Sequence, residues 1–132
     1  MASFAPSFPT GGSHVQVQLQ PNSTDDCAHV LLSGDIRNPQ ELAAGPDPLE
    51  QVLGPKLHAR KVLADLSGAR YISSSGIGWL LEQNTKFASQ GGLLVLHSVP
   101  PMVQNVLAVM KLHSVLTIVD GISAAESRAL LV

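Results

Sequence analysis

Regular patterning begins at VQVQLQ, residues 15–20, where apolar and polar positions alternate. Val15, Val17 and Leu19 fall on one side and glutamines on the other, the period of a half-buried strand near a sheet edge. PNSTDD (21–26) is turn chemistry, and AHVLLSGDI (28–36) predicts a second strand closed by Gly34-Asp35, so residues 15–36 read as a hairpin. KVLADLS (61–67) is a compact apolar run, as expected of a central strand covered by helices. From about Ser74 to Gln90 the spacing turns helical. Ile77, Leu80, Leu81, Phe87 and Ala88 share a stripe that Asn84 interrupts, with Glu82, Gln83, Lys86 and Gln90 opposite. Gly91-Gly92 stops this helix. LLVLHSV (93–99) predicts the next strand, and Pro100-Pro101 opens a helix with Val103, Val106, Leu107 and Met110 inward. Met102 and Val109 lie off that stripe and read as partly buried. LTIVD (116–120) is a last strand, and SAAESRALL (123–131) a closing helix with Ser123 as cap and Glu126 as the third position of a capping box.

Between the hairpin and residue 61 the chain is punctuated by Pro39, Pro46, Pro48 and Pro55. Within this stretch DPLE predicts a helix start, with Asp47 as cap, Pro48 at the first position and Glu50 at the third. Gly54-Pro55 should end that helix early. The order β-β-(α)-β-α-β-α-β-α implies right-handed crossovers and a parallel sheet with an antiparallel edge. The fold class is therefore α/β: one domain over residues 15–132, a mixed sheet of four to five strands with helices mainly on one face, after a flexible tail at residues 1–14.

Composition narrows the functional classes. The chain has 132 residues, 45% hydrophobic and 14% charged, enough for one domain with a single core. With 8 basic and 10 acidic side chains and no basic cluster, nucleic acid is not an expected partner. A single cysteine, Cys27, allows no internal disulfide and fits a reducing compartment. The first fourteen residues carry no Lys or Arg and no continuous apolar run, so they lack the parts of a secretion signal. No apolar stretch approaches the ~20 residues that span a membrane, so no membrane insertion is expected. No His, Cys, Asp or Glu spacing suggests a metal, and neither a metal nor another cofactor is expected.

The stretch richest in chemistry is YISSSGIGWLL (71–81), three serines and two glycines where a strand gives way to a helix. Four readings compete. A phosphate-binding loop would suit the free N–H groups of a helix start, but a third glycine is missing at Leu81 and no G-K-[ST] follows. A nucleophile elbow needs a glycine two residues before the serine, and Ser73 and Ile72 stand where glycine would. His14, His29, His58, His97 and His113 are scattered, with His97 at a strand end. A helix cap accounts for one serine, at ~1 kcal/mol. It does not account for three, nor for two glycines in a first helical turn, each costing about 1 kcal/mol relative to alanine. The fourth reading is modification. Phosphate at a helix start adds about −1.5 to −2 charge beside a positive dipole end, which the free domain tolerates. A partner docked there would have to desolvate that charge, and a loss of ~3 kcal/mol weakens binding roughly a hundredfold. Trp79, the single tryptophan, projects on the polar side of its helix and is a candidate contact beside the turn, or else a cover for the core edge.

The run from VLADLSGARYISSSGIGW through ESRAL resembles the STAS domain family, in particular its anti-sigma-factor antagonists. The family pattern is a strand ending in D-L-S, an apolar residue, D-S-[ST]-G-[LI]-G, a helix, G-G, a strand, a Pro-started helix and a short strand; LLSGDI resembles its G-[ED]-[LI]-D turn. The resemblance covers about residues 15–131. It implies a bacterial cytoplasmic signalling protein that is not an enzyme, has no catalytic residues and needs no cofactor. It would bind an anti-sigma factor that is also a serine kinase, thereby regulating transcription, and would exist as a monomer or weak homodimer. Phosphorylation by that kinase would fall on Ser74, with Ser75 as second choice. Asp35, Ser73, Ser75, Gly76, Ile77 and Trp79 would contribute to partner binding. This sequence carries Ser73 where the motif has aspartate, and Arg37 where the first turn usually ends in aspartate. Members without a phosphorylation cycle act as scaffolds or as subunits attached to membrane transporters, the alternative implied here. An enzyme using Ser74 or Ser75 as nucleophile is a third possibility.

Overall fold

The computed structural model describes residues 15–24, 27–37 and 47–130. The expected tail at 1–14 and the segment containing Pro39 and Pro46 lie outside them. The elements follow the expected order: β1 (Gln16–Leu19), β2 (Cys27–Ile36), α1 (Pro48–Leu53), a 3-10 turn (Leu57–Ala59), β3 (Lys61–Ile72), α2 (Ser74–Ser89), β4 (Leu93–His97), α3 (Pro101–Val109), a second 3-10 turn (Leu112–Ser114), β5 (Thr117–Val119) and α4 (Ile122–Leu130).

The sheet runs β1-β2-β3-β4-β5 in spatial order. β1 pairs antiparallel with β2, and the other three pairings are parallel. Each parallel connection steps the sheet in the same direction, so right-handed crossovers set α1, α2 and α3 on one face. On that face Val30, Leu32, Val62, Leu66, Leu94 and Leu96 meet Leu49 of α1, Leu80 and Phe87 of α2, and Val103 and Leu107 of α3 in one continuous core. Burying each large apolar side chain stabilises the fold by about 1.5–3 kcal/mol. Among the described residues α4 alone covers the other face, where Ala125 and Ala129 rest on Leu63 and Val95 in a much smaller cluster.

Local signals explain the helix ends. The Asp47 carboxylate accepts from the Leu49 N–H at 2.9 Å and caps α1, Pro48 occupies its first position, and the helix stops at Leu53 before Gly54. The closing helix departs from expectation: it begins at Ile122, so Ser123 is its second residue rather than its cap.

β3 is longer than its apolar core suggests. It continues to Ile72, paired with β2 through Ile36, after β4 has ended opposite Asp65. Gly68 permits this extension, because a Cβ there would lie 2.8 Å from the Ser33 Cβ. The two longest strands thus project beyond the rest of the sheet and carry the serine turn at their tip.

Candidate functional site

The turn is built where β3 ends and α2 begins. Ser73 is the cap of α2 in extended conformation. Its N–H donates to the Ile36 carbonyl at 3.0 Å, fastening the helix start to the end of β2. Its hydroxyl oxygen accepts from the Gly76 N–H at 3.1 Å, directs its proton toward the Ile36 carbonyl at 3.4 Å, and lies 2.9 Å from the Ser75 hydroxyl. The two flanking hydroxyls are therefore engaged with each other and with backbone. Ser74, the first helical residue, is exposed. An exposed hydroxyl at the positive end of a sixteen-residue helix is open to an incoming group.

Gly76 has a steric explanation. A Cβ at this position would sit 2.0 Å from the Ile36 carbonyl oxygen, so only glycine lets α2 seat this closely on β2. Gly78 meets nothing within 4 Å, and the same explanation does not extend to it.

Beside Ser74 lies a groove of about 380 Å³ between α2 and α3, lined by Ile72, Ser74, Ile77, Asn105, Val106, Val109 and Met110. Five of these seven side chains are apolar. Val109 is 79% exposed, and Met102, Met110 and Tyr71 are 61%, 55% and 47% exposed. This corrects the expectation that Met110 points inward and that Met102 and Val109 are partly buried. α3 buries only Val103 and Leu107, while Val106 stays half-buried. The missed signal was the narrow inward stripe: nine apolar-rich residues hold more hydrophobic positions than one face can bury.

Trp79 is also corrected. It is 2% exposed, not on the polar side, and its indole N–H donates to Asp47 Oδ1 at 2.6 Å. One carboxylate thus caps α1 and ties α1 to the helix of the serine turn. Gln83 likewise lies inside, its Oε1 2.8 Å from the His58 Nε2 of the 3-10 turn, whereas Ala88 is exposed. Ile77 is buried at 8% exposure and lines the groove. Of the candidate contacts, Ser73, Ser75 and Gly76 shape the turn, and Ser74 stands at its surface.

Asp35 is half-buried and opposite Tyr71 in the strand register, close to the turn. It pairs with Arg70 at 3.4 Å, and the Arg70 side chain is 69% exposed. Solvent screens such a pair, which contributes little to stability. Arg37 follows Ile36 directly, and its backbone nitrogen would be 3.2 Å from a Cβ on Gly76. The tip therefore has a cation where the motif carries a carboxylate, and a neutral cap in Ser73.

Away from the tip, burial lowers the His97 imidazole below its ordinary value; Asp65 opposes this, His29 adds to it and Glu126 opposes it. Among the described residues no group of His, Cys, Asp and Glu could hold a metal ion. No helix there is long and apolar enough to cross a membrane.

The family model described as Mlab, STAS domain, matches residues 19–120. The chain belongs to the STAS domain family. Similar solved structures include the Thermotoga maritima protein TM1081, with TM-score 0.67 and 22% identity over 86% of this chain and 93% of that one. An anti-sigma factor antagonist from Mycobacterium paratuberculosis also has TM-score 0.67, at 17% identity over 92% and 98%. The anti-sigma factor antagonist SpoIIAA in its unphosphorylated form has TM-score 0.61, at 18% identity over 88% and 97%. These identities speak for the fold. No curated protein matches the chain in sequence. The STAS architecture agrees with the expected α/β class, with its mixed sheet and three of four helices on one face.

Proposed function

We propose that this STAS domain is an anti-sigma-factor antagonist of the bacterial cytoplasm, docking on an anti-sigma factor that is also a serine kinase and released when Ser74 is phosphorylated. The domain has no catalytic role of its own. The observation that carries this reading is the unequal state of the three serines. Ser73 and Ser75 are bonded to each other, while Ser74 is exposed at the helix start on the rim of an apolar groove. The groove and the exposed Tyr71, Val109 and Met110 supply docking area, and Ser74 places the switch at its edge. A phosphate there adds about −1.5 to −2 charge. The helix start accommodates this in the free domain, gaining ~0.3–1 kcal/mol, but a partner covering the groove must desolvate it. The fold relationship to SpoIIAA and to the Mycobacterium antagonist supports the partner class.

The test is incubation with the cognate kinase and ATP, read by intact mass. One phosphate should be added, and none to Ser74→Ala. Ser74→Asp should bind the kinase roughly a hundredfold more weakly, equivalent to ~3 kcal/mol. Persistent binding by Ser74→Asp would refute the switch.

One observation favours a second reading. Ser73 replaces the motif carboxylate, so the acceptor hydroxyl has no acidic neighbour on its own turn. A constitutive scaffold or transporter-associated subunit would use the same groove without phosphorylation. Stable partner binding with no phosphate transferred would select that reading.

A further inference from the structure

The end of the sheet opposite the serine turn has an opening of its own. Strand alternation and register put Cys27 and His29 of β2, Lys61 and Leu63 of β3, and Val95 and His97 of β4 on the second face. α4 packs on β3 and β4, and its edge toward β2 borders a crevice of about 700 Å³. The other walls are the β1–β2 turn and the starts of β2 and β3. Ser74 stands past the far end of the twelve-residue β3, roughly 35 Å away. The crevice is therefore separate from the serine turn, and the proposed switch makes no use of it.

Its walls are braced by the protein's own bonds. In the β1–β2 turn the Thr24 N–H donates to the Cys27 carbonyl at 2.8 Å, and the Cys27 N–H donates back to the Thr24 hydroxyl at 3.1 Å. The Ser23 hydroxyl accepts from the His29 N–H at 2.8 Å. The Arg60 guanidinium donates to the Thr24 carbonyl at 3.1 Å, and the Lys61 ammonium donates to the Ala129 carbonyl of α4 at 2.8 Å. A space of this size falls within the ~300–1,000 Å³ usual for small-molecule sites. Because the walls are preformed, a ligand does not have to order them.

We infer that the crevice beside α4 binds a small organic monoanion, its acid group held by Arg60 in the field of Lys61 and its apolar body laid against Ala59, Ala129 and Leu130. A guanidinium carries several N–H donors in a planar fork that matches a carboxylate or sulfonate. The single carbonyl of Thr24 engages one of them and leaves others for the acid group. The lining cations Arg60 and Lys61 outnumber the lining carboxylate of Glu126 by one. A second negative charge on the ligand would face Glu126 with no cation of its own, so the charge balance selects a monoanion. His29 also lines the crevice, 6% exposed, with its Nε2 3.7 Å from a Glu126 carboxylate oxygen. Its Nδ1 is buried without a hydrogen-bond partner. A buried polar atom that the chain leaves unmet calls for a partner from outside it.

The probe is anilinonaphthalene sulfonate, one acid group on an apolar body, titrated into the full chain and followed by amide NMR shifts. Saturable shifts are expected at Cys27, His29, Arg60, Lys61 and Glu126, with half-saturation below about 1 mM. Phenylnaphthylamine, the same body without the sulfonate, should bind roughly tenfold more weakly, and so should the probe to Arg60→Gln. Glu126 is 54% exposed, so Glu126→Gln spares the fold, and removing its charge should tighten binding about threefold. If Arg60→Gln does not fold, Glu126→Gln and the uncharged analogue decide. Shifts confined to the groove between α2 and α3, shifts that do not saturate, equal binding of the uncharged analogue, or Glu126→Gln binding no tighter would each overturn the inference.

Discussion

The two faces of the sheet are covered in opposite ways. One carries three helices and a continuous apolar core that includes Trp79 and Phe87. Among the described residues the other carries one nine-residue helix, four buried apolar side chains and two buried histidines. The first face also seats the serine turn, through Ser73 and Gly76 against Ile36. Rigidity belongs to the first face and change to the second. The switch helix is anchored by close packing, so a modification at its tip alters the surface and leaves the fold alone. The second face depends on small contacts and on groups whose charge follows pH.

The largest effect is expected from Phe87→Ala, which should destabilise the whole domain by about 3–5 kcal/mol in chemical denaturation. A loss below about 1 kcal/mol would contradict a tightly packed first face. Next, Gly76→Ala must displace α2 from the Ile36 carbonyl, at a cost of about 3 kcal/mol. The same denaturation measurement should register it, together with loss of partner binding. On the second face, Val95→Ala removes two carbons from a smaller cluster and should cost about 2 kcal/mol. Hydrogen exchange should concentrate its effect in α4.

Acidification sharpens the contrast further. The folded-state pKa of His97 lies below its unfolded value near 6.5. The folded chain therefore holds fewer protons on this group than the unfolded chain once pH drops below that value. Its contribution to stability is fully present above pH 6.5 and is lost as pH falls toward the folded pKa, with a slope of at most about 1.4 kcal/mol per pH unit. Denaturation midpoints from pH 7.5 to 5 should decline accordingly, and less in His97→Gln. The smallest stability effect is expected for Ser74→Asp, within about 0.5 kcal/mol. A larger change in its thermal unfolding would mean that the tip belongs to the fold rather than to the surface.

The order of elements was legible because period-two and helical runs are separated by strong breakers such as Gly54-Pro55 and Gly91-Gly92. The serine turn was legible through its composition and motif. Trp79 and Gln83 were misplaced because each is polar-side only on an isolated helical wheel. Asp47, 32 residues away, brings a carboxylate to the indole, and His58, 25 residues away, satisfies the glutamine. Met110 was misplaced for the converse reason: its helix has more apolar positions than the sheet beneath it can cover.

By itself, the amino-acid sequence determined the alternation of strands and helices, the capped start of α1 and the hydroxyl-rich turn, since these rest on period and near-neighbour chemistry. Tertiary structure alone decided which serine is exposed, why Gly76 has no side chain, and that two distant histidines share one face. Those depend on register between strands far apart in the chain, and backbone approach to within a few ångströms leaves no local signature.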